Sequence, residues 1–150
     1  MQELCLDANI LVAAFTPQEP QHSVAKKVIQ YVLQNSIALF EPAVLCFEVV
    51  SAISRKNSAG DLTDDETTRI SNFIFQLPLL LQWQQDILEK ARRHARELNF
   101  KNIYDCTYLA VSMGREIPLV TLDNELLVKG RRVYQQIYDP SAFLTRQGIS

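Results

Sequence analysis

Four carboxylates stand where the sequence is otherwise largely apolar. Asp7 separates Leu4-Cys5-Leu6 from the run Ile10 to Ala14, and Glu48 interrupts Val44-Leu45-Cys46-Phe47 and Val49-Val50. Asp105 lies between Ile103-Tyr104 and the run Cys106 to Val111, and Asp123 closes Leu119-Val120-Thr121-Leu122. An ionised carboxylate withdrawn from water loses several kcal/mol of solvation unless a cation compensates. No Lys, Arg or His falls within three residues of any of the four, so a bound metal ion is the economical compensation, and the shared framing suggests one common site. An all-carboxylate donor set suits a hard divalent cation such as Mg²⁺, or Mn²⁺ in its place. Zinc fits poorly, because His22 and His94 belong to polar helical stretches without neighbouring ligands.

Each acid also has a purely structural explanation to be weighed. Asp7, Asp105 and Asp123 stand near expected helix starts, where a carboxylate stabilises free N–H groups by roughly 0.5 to 2 kcal/mol. Glu48 lies in mid-helix, and its structural alternative is a buried ion pair. Cys5, Cys46 and Cys106 form no metal-ligand spacing, and an odd count argues against a disulfide framework. Their apolar surroundings read as burial of small hydrophobes.

The elements that must position these residues alternate in type. Glu3 to Leu6 reads as a strand and Asn9 to Phe15 as a helix, stopped by the turn Thr16-Pro17-Gln18-Glu19-Pro20. Gln21 to Gln34 carries Val24, Val28, Ile29 and Val32 at helical spacing, and Ile37 to Phe40 reads as a strand. Pro42 suits the first turn of a helix that runs to about Asn57 and stops at Gly60; this helix carries Glu48. Thr63-Asp64-Asp65-Glu66 has capping-box spacing and opens a helix ended by Pro78. A strand at Leu79 to Leu81, a helix from about Asp86 to Leu98, and a helix Ile103 to Met113 with Asn102 as cap follow. Pro118 to Leu122 is a strand, Asp123 to Val128 a short helix ending at Gly130, and Val133 to Tyr138 a last strand. Strands separated by helices imply crossover connections, hence a three-layer α/β architecture around a mostly parallel sheet of about five strands. Sites in such sheets form beyond the carboxyl ends of the strands. Asp7 and Asp123 fall there directly, and the helices bearing Glu48 and Asp105 can fold over the same edge.

Composition bounds the rest. The 150 residues are expected to form a single domain, long enough to bury roughly two-thirds of the unfolded surface. An apolar fraction of 47% with 21% charged residues is that of an ordinary globular chain. No apolar run approaches the roughly 20 residues of a membrane span, and no secretory signal is visible, so a cytoplasmic location is expected. A formal charge of −2 does not advertise nucleic-acid binding, yet four site carboxylates would leave the remainder near +2, compatible with a basic rim around an acidic centre.

The segments Leu6-Asp7-Ala8-Asn9-Ile10-Leu11-Val12, Phe47-Glu48-Val49-Val50-Ser51-Ala52-Ile53, Tyr104-Asp105-Cys106-Thr107-Tyr108-Leu109-Ala110 and Leu119-Val120-Thr121-Leu122-Asp123 resemble, in that order, the motifs of PIN-domain nucleases. Length and motif order are similar to the VapC toxins of bacterial and archaeal toxin–antitoxin pairs. The resemblance spans Leu4 to about Tyr138 and implies a Rossmann-like parallel sheet with Asp7, Glu48, Asp105 and Asp123 as metal-binding acids. Asn9 matches the polar position two residues after the first acid, where a side chain supports the site by hydrogen bonding, and Thr121 the hydroxyl before the last. Asn124 stands where many relatives carry another acidic or polar residue.

The implied activity is metal-dependent hydrolysis of RNA phosphodiester bonds, with Asp7 and Asp105 as primary ligands and Glu48 and Asp123 completing the acidic cup or orienting water. A homodimer and a cognate antitoxin are implied as partners; the apolar face of the helix containing Val24 and Val32 could serve either contact or pack in the core. Candidate phosphate contacts are Arg55, Lys56, Arg92, Arg93, Arg96, Lys101, Lys129, Arg131 and Arg132, the densest group being Lys129-Gly130-Arg131-Arg132. Alternatives are a catalytically silent PIN-like module that binds protein or RNA, and a solitary RNA-processing nuclease without an antitoxin. A haloacid-dehalogenase-like phosphatase wants a second Asp where Asn9 stands, and a response-regulator receiver wants an acidic pair that is missing here.

Overall fold

The computed structural model describes residues 2–150, and its sheet is built outward from the first strand, β1 (Glu3–Leu6). β1 pairs in parallel with β2 (Ala38–Pro42) on one side and with β4 (Leu119–Val120) on the other. β3 (Leu79–Gln82) extends the sheet beyond β2, and β5 (Ile137–Tyr138) extends it beyond β4, giving a five-stranded parallel sheet of order β3-β2-β1-β4-β5. The chain winds outward through β1, β2 and β3, then returns to the other flank of β1. The junction of β1 and β4 is therefore the switch point, where a crevice opens at the carboxyl edge of such sheets.

Helices fill both faces, completing the three-layer α/β architecture expected from the alternation of segments. α1 (Ala8–Phe15) packs on α2 (His22–Gln34) and α3 (Val44–Ser58), and α4 (Asp64–Phe75) packs on α3. α6 (Tyr104–Arg115) lies across β1, β2 and β4 and carries α5 (Gln85–Leu98). α7 (Asn124–Gly130) links β4 to β5, and α8 (Pro140–Arg146) packs against α2. None of these helices is long and apolar enough to cross a membrane.

Local chemistry explains most boundaries. Thr63 and Glu66 form the expected reciprocal capping box at the start of α4. The cap position of α6 is Ile103 rather than the expected Asn102, whose Oδ1 accepts from Tyr104 N–H at 3.1 Å from one residue further out. Gly130 ends α7 where a Cβ would meet Ile137 Cδ1 at 2.5 Å, so a larger residue there would require the Ile137 side chain to move. Ala25, Val28, Ile29 and Val32 are buried in the core, so the apolar face of α2 is packing surface rather than a free contact. His22 and His94 are half-buried rather than on the surface, His22 with Nδ1 2.8 Å from Ala13 O. Cys5 and Cys106 are buried as expected, and Cys46 partly so.

Several expected boundaries move. Pro42 closes β2 instead of opening α3, because the strand continues in register against Gln82 of β3. β4 and β5 are two residues each, shorter than Pro118 to Leu122 and Val133 to Tyr138. The segment before β5 is taken by turns in which Val133 and Tyr134 N–H bond Gly130 O. α8 had no counterpart in the expected element string. Its signal is Asp139-Pro140, a capping acid whose Oδ1 accepts from Ala142 N–H at 2.8 Å, followed by proline at the first helical position.

Candidate active site at the carboxyl edge of the sheet

Asp7 follows β1 directly and is only 4% exposed. It occupies the cap position of α1, yet its side chain makes no capping bond. Its carboxylate instead faces the neighbouring strand. Oδ2 accepts from Thr121 Oγ1 at 2.7 Å and from Asn9 Nδ2 at 3.1 Å, and Oδ1 takes no hydrogen bond from any described residue. Thr121 Oγ1 accepts from Asp123 N–H at 2.9 Å, and Asn9 Oδ1 accepts from Leu122 N–H at 3.1 Å. The ends of β1 and β4 are thereby stitched together through side chains. Burial pushes the Asp7 carboxyl up to about 7, partly offset by the Thr121 hydrogen bond and reinforced by the charges of Asp105, Glu48 and Asp123.

The three other acids approach from different elements. Glu48 lies mid-way along α3, half-buried, without an ion pair among the described residues; Oε1 accepts from the buried Tyr108 hydroxyl at 2.6 Å. Burial raises its carboxyl above the ordinary range, against the pull of that hydroxyl. Asp105, in the first turn of α6, is raised to about 6 by burial and then by the charges of Asp123, Glu48 and Glu125. Asp123 does cap a helix: Oδ1 accepts from Glu125 N–H at 2.8 Å and Leu126 N–H at 3.5 Å at the start of α7. Asp7, Asn9, Glu48 and Asp105 line one open cavity of about 1000 Å³, whose wall is continued by Val44, Phe47, Ser51, Arg55 and Tyr104.

The PIN-domain family model matches residues 4–131, the stretch that contains β1, the switch point and all four acids. The chain belongs to the PIN-domain family. The same fold occurs in PAE2754 from Pyrobaculum aerophilum, 21% identical over 98% of this chain and 96% of that one, with a TM-score of 0.71. It occurs also in VapC20 of Mycobacterium tuberculosis, a sarcin–ricin-loop-cleaving toxin, at 14% identity over 85% and 95% of the two chains and a TM-score of 0.65. VapBC2 from Rickettsia felis, solved with a fragment of its promoter DNA, matches at 14% identity over 92% and 98%, with a TM-score of 0.62. None of the curated protein sequences matches the chain.

In this PIN domain the donor chemistry of the cavity fits a hard divalent cation: oxygen ligands only, shared negative charge, and no salt bridge to any of the four acids among the described residues. As the side chains stand, no three Asp, Glu, His or Cys among the described residues are gathered closely enough to hold an ion. Asp7, Glu48 and Asp105 share a cavity, and Asp123, outside its lining, adds its charge to theirs; the four form no closed coordination sphere.

The basic residues divide by what they touch. Lys129 Nζ donates to Asn99 O at 2.8 Å and Glu125 Oε1 at 2.6 Å, and the Arg131 guanidinium donates twice to Ile137 O at 2.9 and 3.1 Å. Arg132 is exposed, and none of the three lines the cavity. Arg55 and Lys56 do line it. Lys56 is paired with Glu19, whereas Arg55 bonds only the Ser51 hydroxyl, at 2.9 Å.

A fifth acid escaped the sequence reading. Glu41, in β2, is fully buried; Oε1 accepts from Leu6 N–H at 2.6 Å and Oε2 from Cys5 Sγ at 3.5 Å. Its side chain takes over the pairing of β1 where the β1–β2 backbone register ends, one residue before Asp7. Burial pushes this carboxyl well above the ordinary range. Its frame, Phe40-Glu41-Pro42, reads as a strand end before a turn, where an acid is unremarked.

Proposed function

We propose that this PIN domain is a metal-dependent endoribonuclease that hydrolyses RNA phosphodiester bonds in the cytoplasm, as the toxin of a VapBC-type pair. The observation that carries this reading is the gathering of Asp7, Glu48 and Asp105 around one cavity, with Asp123 adding its charge from the end of β4 and no basic partner for any of the four among the described residues. Asp7 and Asp105 would be the principal ligands of Mg²⁺ or Mn²⁺, with Glu48 and Asp123 completing the cup. When bound, such an ion would supply Lewis acidity and charge neutralisation at a phosphate. The chain's own part is to hold the acids ready: Thr121 and Asn9 fix Asp7 through Oδ2, and Tyr108 fixes Glu48. Partial burial raises the field they exert on a cation.

Likeness in fold to a sarcin–ricin-loop-cleaving toxin supports RNA as the substrate, and likeness to a VapBC pair supports an antitoxin partner; a homodimer is part of the same proposal. Incubation of the purified protein with RNA in Mg²⁺ or Mn²⁺ tests the activity. Native protein should cleave, while Asp7→Asn and Asp105→Asn should lose at least about a hundredfold in rate, as expected when a ligand of a catalytic ion is removed. Equal cleavage by Asp7→Asn would leave a silent binding module as the better reading. Growth arrest by the native gene but not by the Asp7→Asn gene, relieved by a co-expressed upstream neighbour, tests the toxin assignment.

A further inference from the structure

Charge alone gives the cavity little hold on a nucleic acid. Asp7, Glu19, Glu48, Asp61 and Asp105 line it against only Arg55 and Lys56, five carboxylates to two cations, and Lys56 is already paired with Glu19. Phosphate contacts supply most of the affinity in ordinary nucleic-acid grooves. Beyond the one phosphate that a cation bound at the acids would hold, affinity needs another source, and two aromatic rings offer it. Phe47 is 77% exposed and Tyr104 51% exposed, on the wall of the same cavity. Scattered exposed aromatics need no explanation. These two are placed differently, each directly preceding a site acid: Phe47 before Glu48 on α3, and Tyr104 before Asp105 at the start of α6.

Resting on the ribonuclease reading above, we propose that Phe47 and Tyr104 are stacking platforms for the bases that flank the scissile phosphate. A phosphate seated at the acids has its neighbouring nucleotides within reach of rings on two helices, and a ring can stack only on a base free of its duplex partner. Arg55 extends the track. Phe47, Ser51 and Arg55 recur at four-residue spacing along one face of α3, and Arg55 lies two helical turns beyond Glu48, roughly 10 Å at 1.5 Å rise per residue. Its guanidinium has no acidic partner among the described residues and is placed to take the next phosphate.

The test is binding and cleavage of a single-stranded oligoribonucleotide carrying 2-aminopurine beside the cleaved bond. Native protein quenches the fluorophore on binding; Phe47→Ala and Tyr104→Ala each weaken binding about 5- to 150-fold, the value of one stacked base, and Phe47→Trp restores it. The same variants act like native protein on an oligonucleotide made abasic at the flanking positions, and the fully duplexed oligonucleotide binds poorly to all. Equal losses on the abasic and intact strands, tight binding of duplex, or unchanged RNA binding accompanied by loss of an antitoxin peptide would each overturn the proposal, the last assigning the rings to a protein partner. Binding and quenching without any cleavage would sink the nuclease reading while leaving the platforms standing; cleavage with quenching insensitive to both rings would do the reverse.

Discussion

Thr121 donates a 2.7 Å hydrogen bond to Oδ2 of Asp7 across the ends of two adjacent parallel strands, joining residues 114 positions apart in the chain. The same oxygen of Thr121 accepts from Asp123 N–H, so one hydroxyl orients one acid and anchors the backbone of another. Thr121→Val removes the donor while keeping the shape. A hydrogen bond to a charged group contributes about 1.5 to 3 kcal/mol, so the Asp7 carboxyl should rise by roughly one to two pH units beyond its place near 7. The acid limb of the pH–rate profile should move up accordingly, and Thr121→Ser should return it. Superimposable profiles for native and Thr121→Val would show that the hydroxyl does not orient the acid.

Stability should depend on pH in the direction opposite to that of an ion-paired acid. Folding raises Asp7 from 3.8 to about 7 and Asp105 to about 6, so the native state binds more protons than the unfolded chain between those values. Their stabilising contribution is complete below about pH 4 and is lost as pH rises through 6 and 7. In EDTA the Tm should therefore fall between pH 5 and pH 8, with Asp7 alone contributing up to about 1.4 kcal/mol per pH unit. Asp7→Asn should flatten the curve. Added Mg²⁺ or Mn²⁺ should raise Tm at pH 8 and have little effect at pH 5; a Tm that climbs with pH in EDTA would contradict this account.

Glu41 should behave as a neutral hydrogen-bonding group. Glu41→Gln keeps an oxygen for Leu6 N–H and should change unfolding free energy by no more than about 1 kcal/mol. Glu41→Ala leaves that N–H buried and unpaired beside a new void, costing roughly 2 to 4 kcal/mol in urea unfolding. Equal losses in both variants would mean that the carboxyl is needed as a charge.

Removing Lys129 or Arg131 should affect the fold more than the substrate. Arg131→Ala frees the Ile137 carbonyl and should lower stability by about 1 kcal/mol while leaving the KM for RNA within twofold of native. A tenfold rise in KM would return these residues to the RNA interface.

The fold was legible, and the four acids stood out as candidates, because each depends on local pattern. Strands of two to five residues separated by helices force parallel crossovers, and a lone carboxylate inside an apolar frame stands out wherever the frame is long. Glu48 is the clearest case: mid-helix, with no capping role available, it meets a tyrosine hydroxyl rather than the ion pair offered as its alternative. Glu41 was illegible for the converse reason. Its burial is imposed by β1 and β3 on either side, and a residue next to proline at a strand end gives no periodic signal. The roles of the basic residues were equally hidden, since Arg131 and Arg55 differ only in what tertiary structure brings to each: a backbone carbonyl for one, an open cavity for the other.

Because the support of Asp7 comes from the end of β4, the order of synthesis governs when the centre exists. A nascent chain that has emerged as far as α6 already carries Asp7, Glu48 and Asp105, but neither Thr121 nor the strand that sets its position. The geometry of this crevice belongs to the chain synthesised through β4, and it cannot be assembled piecemeal along the way.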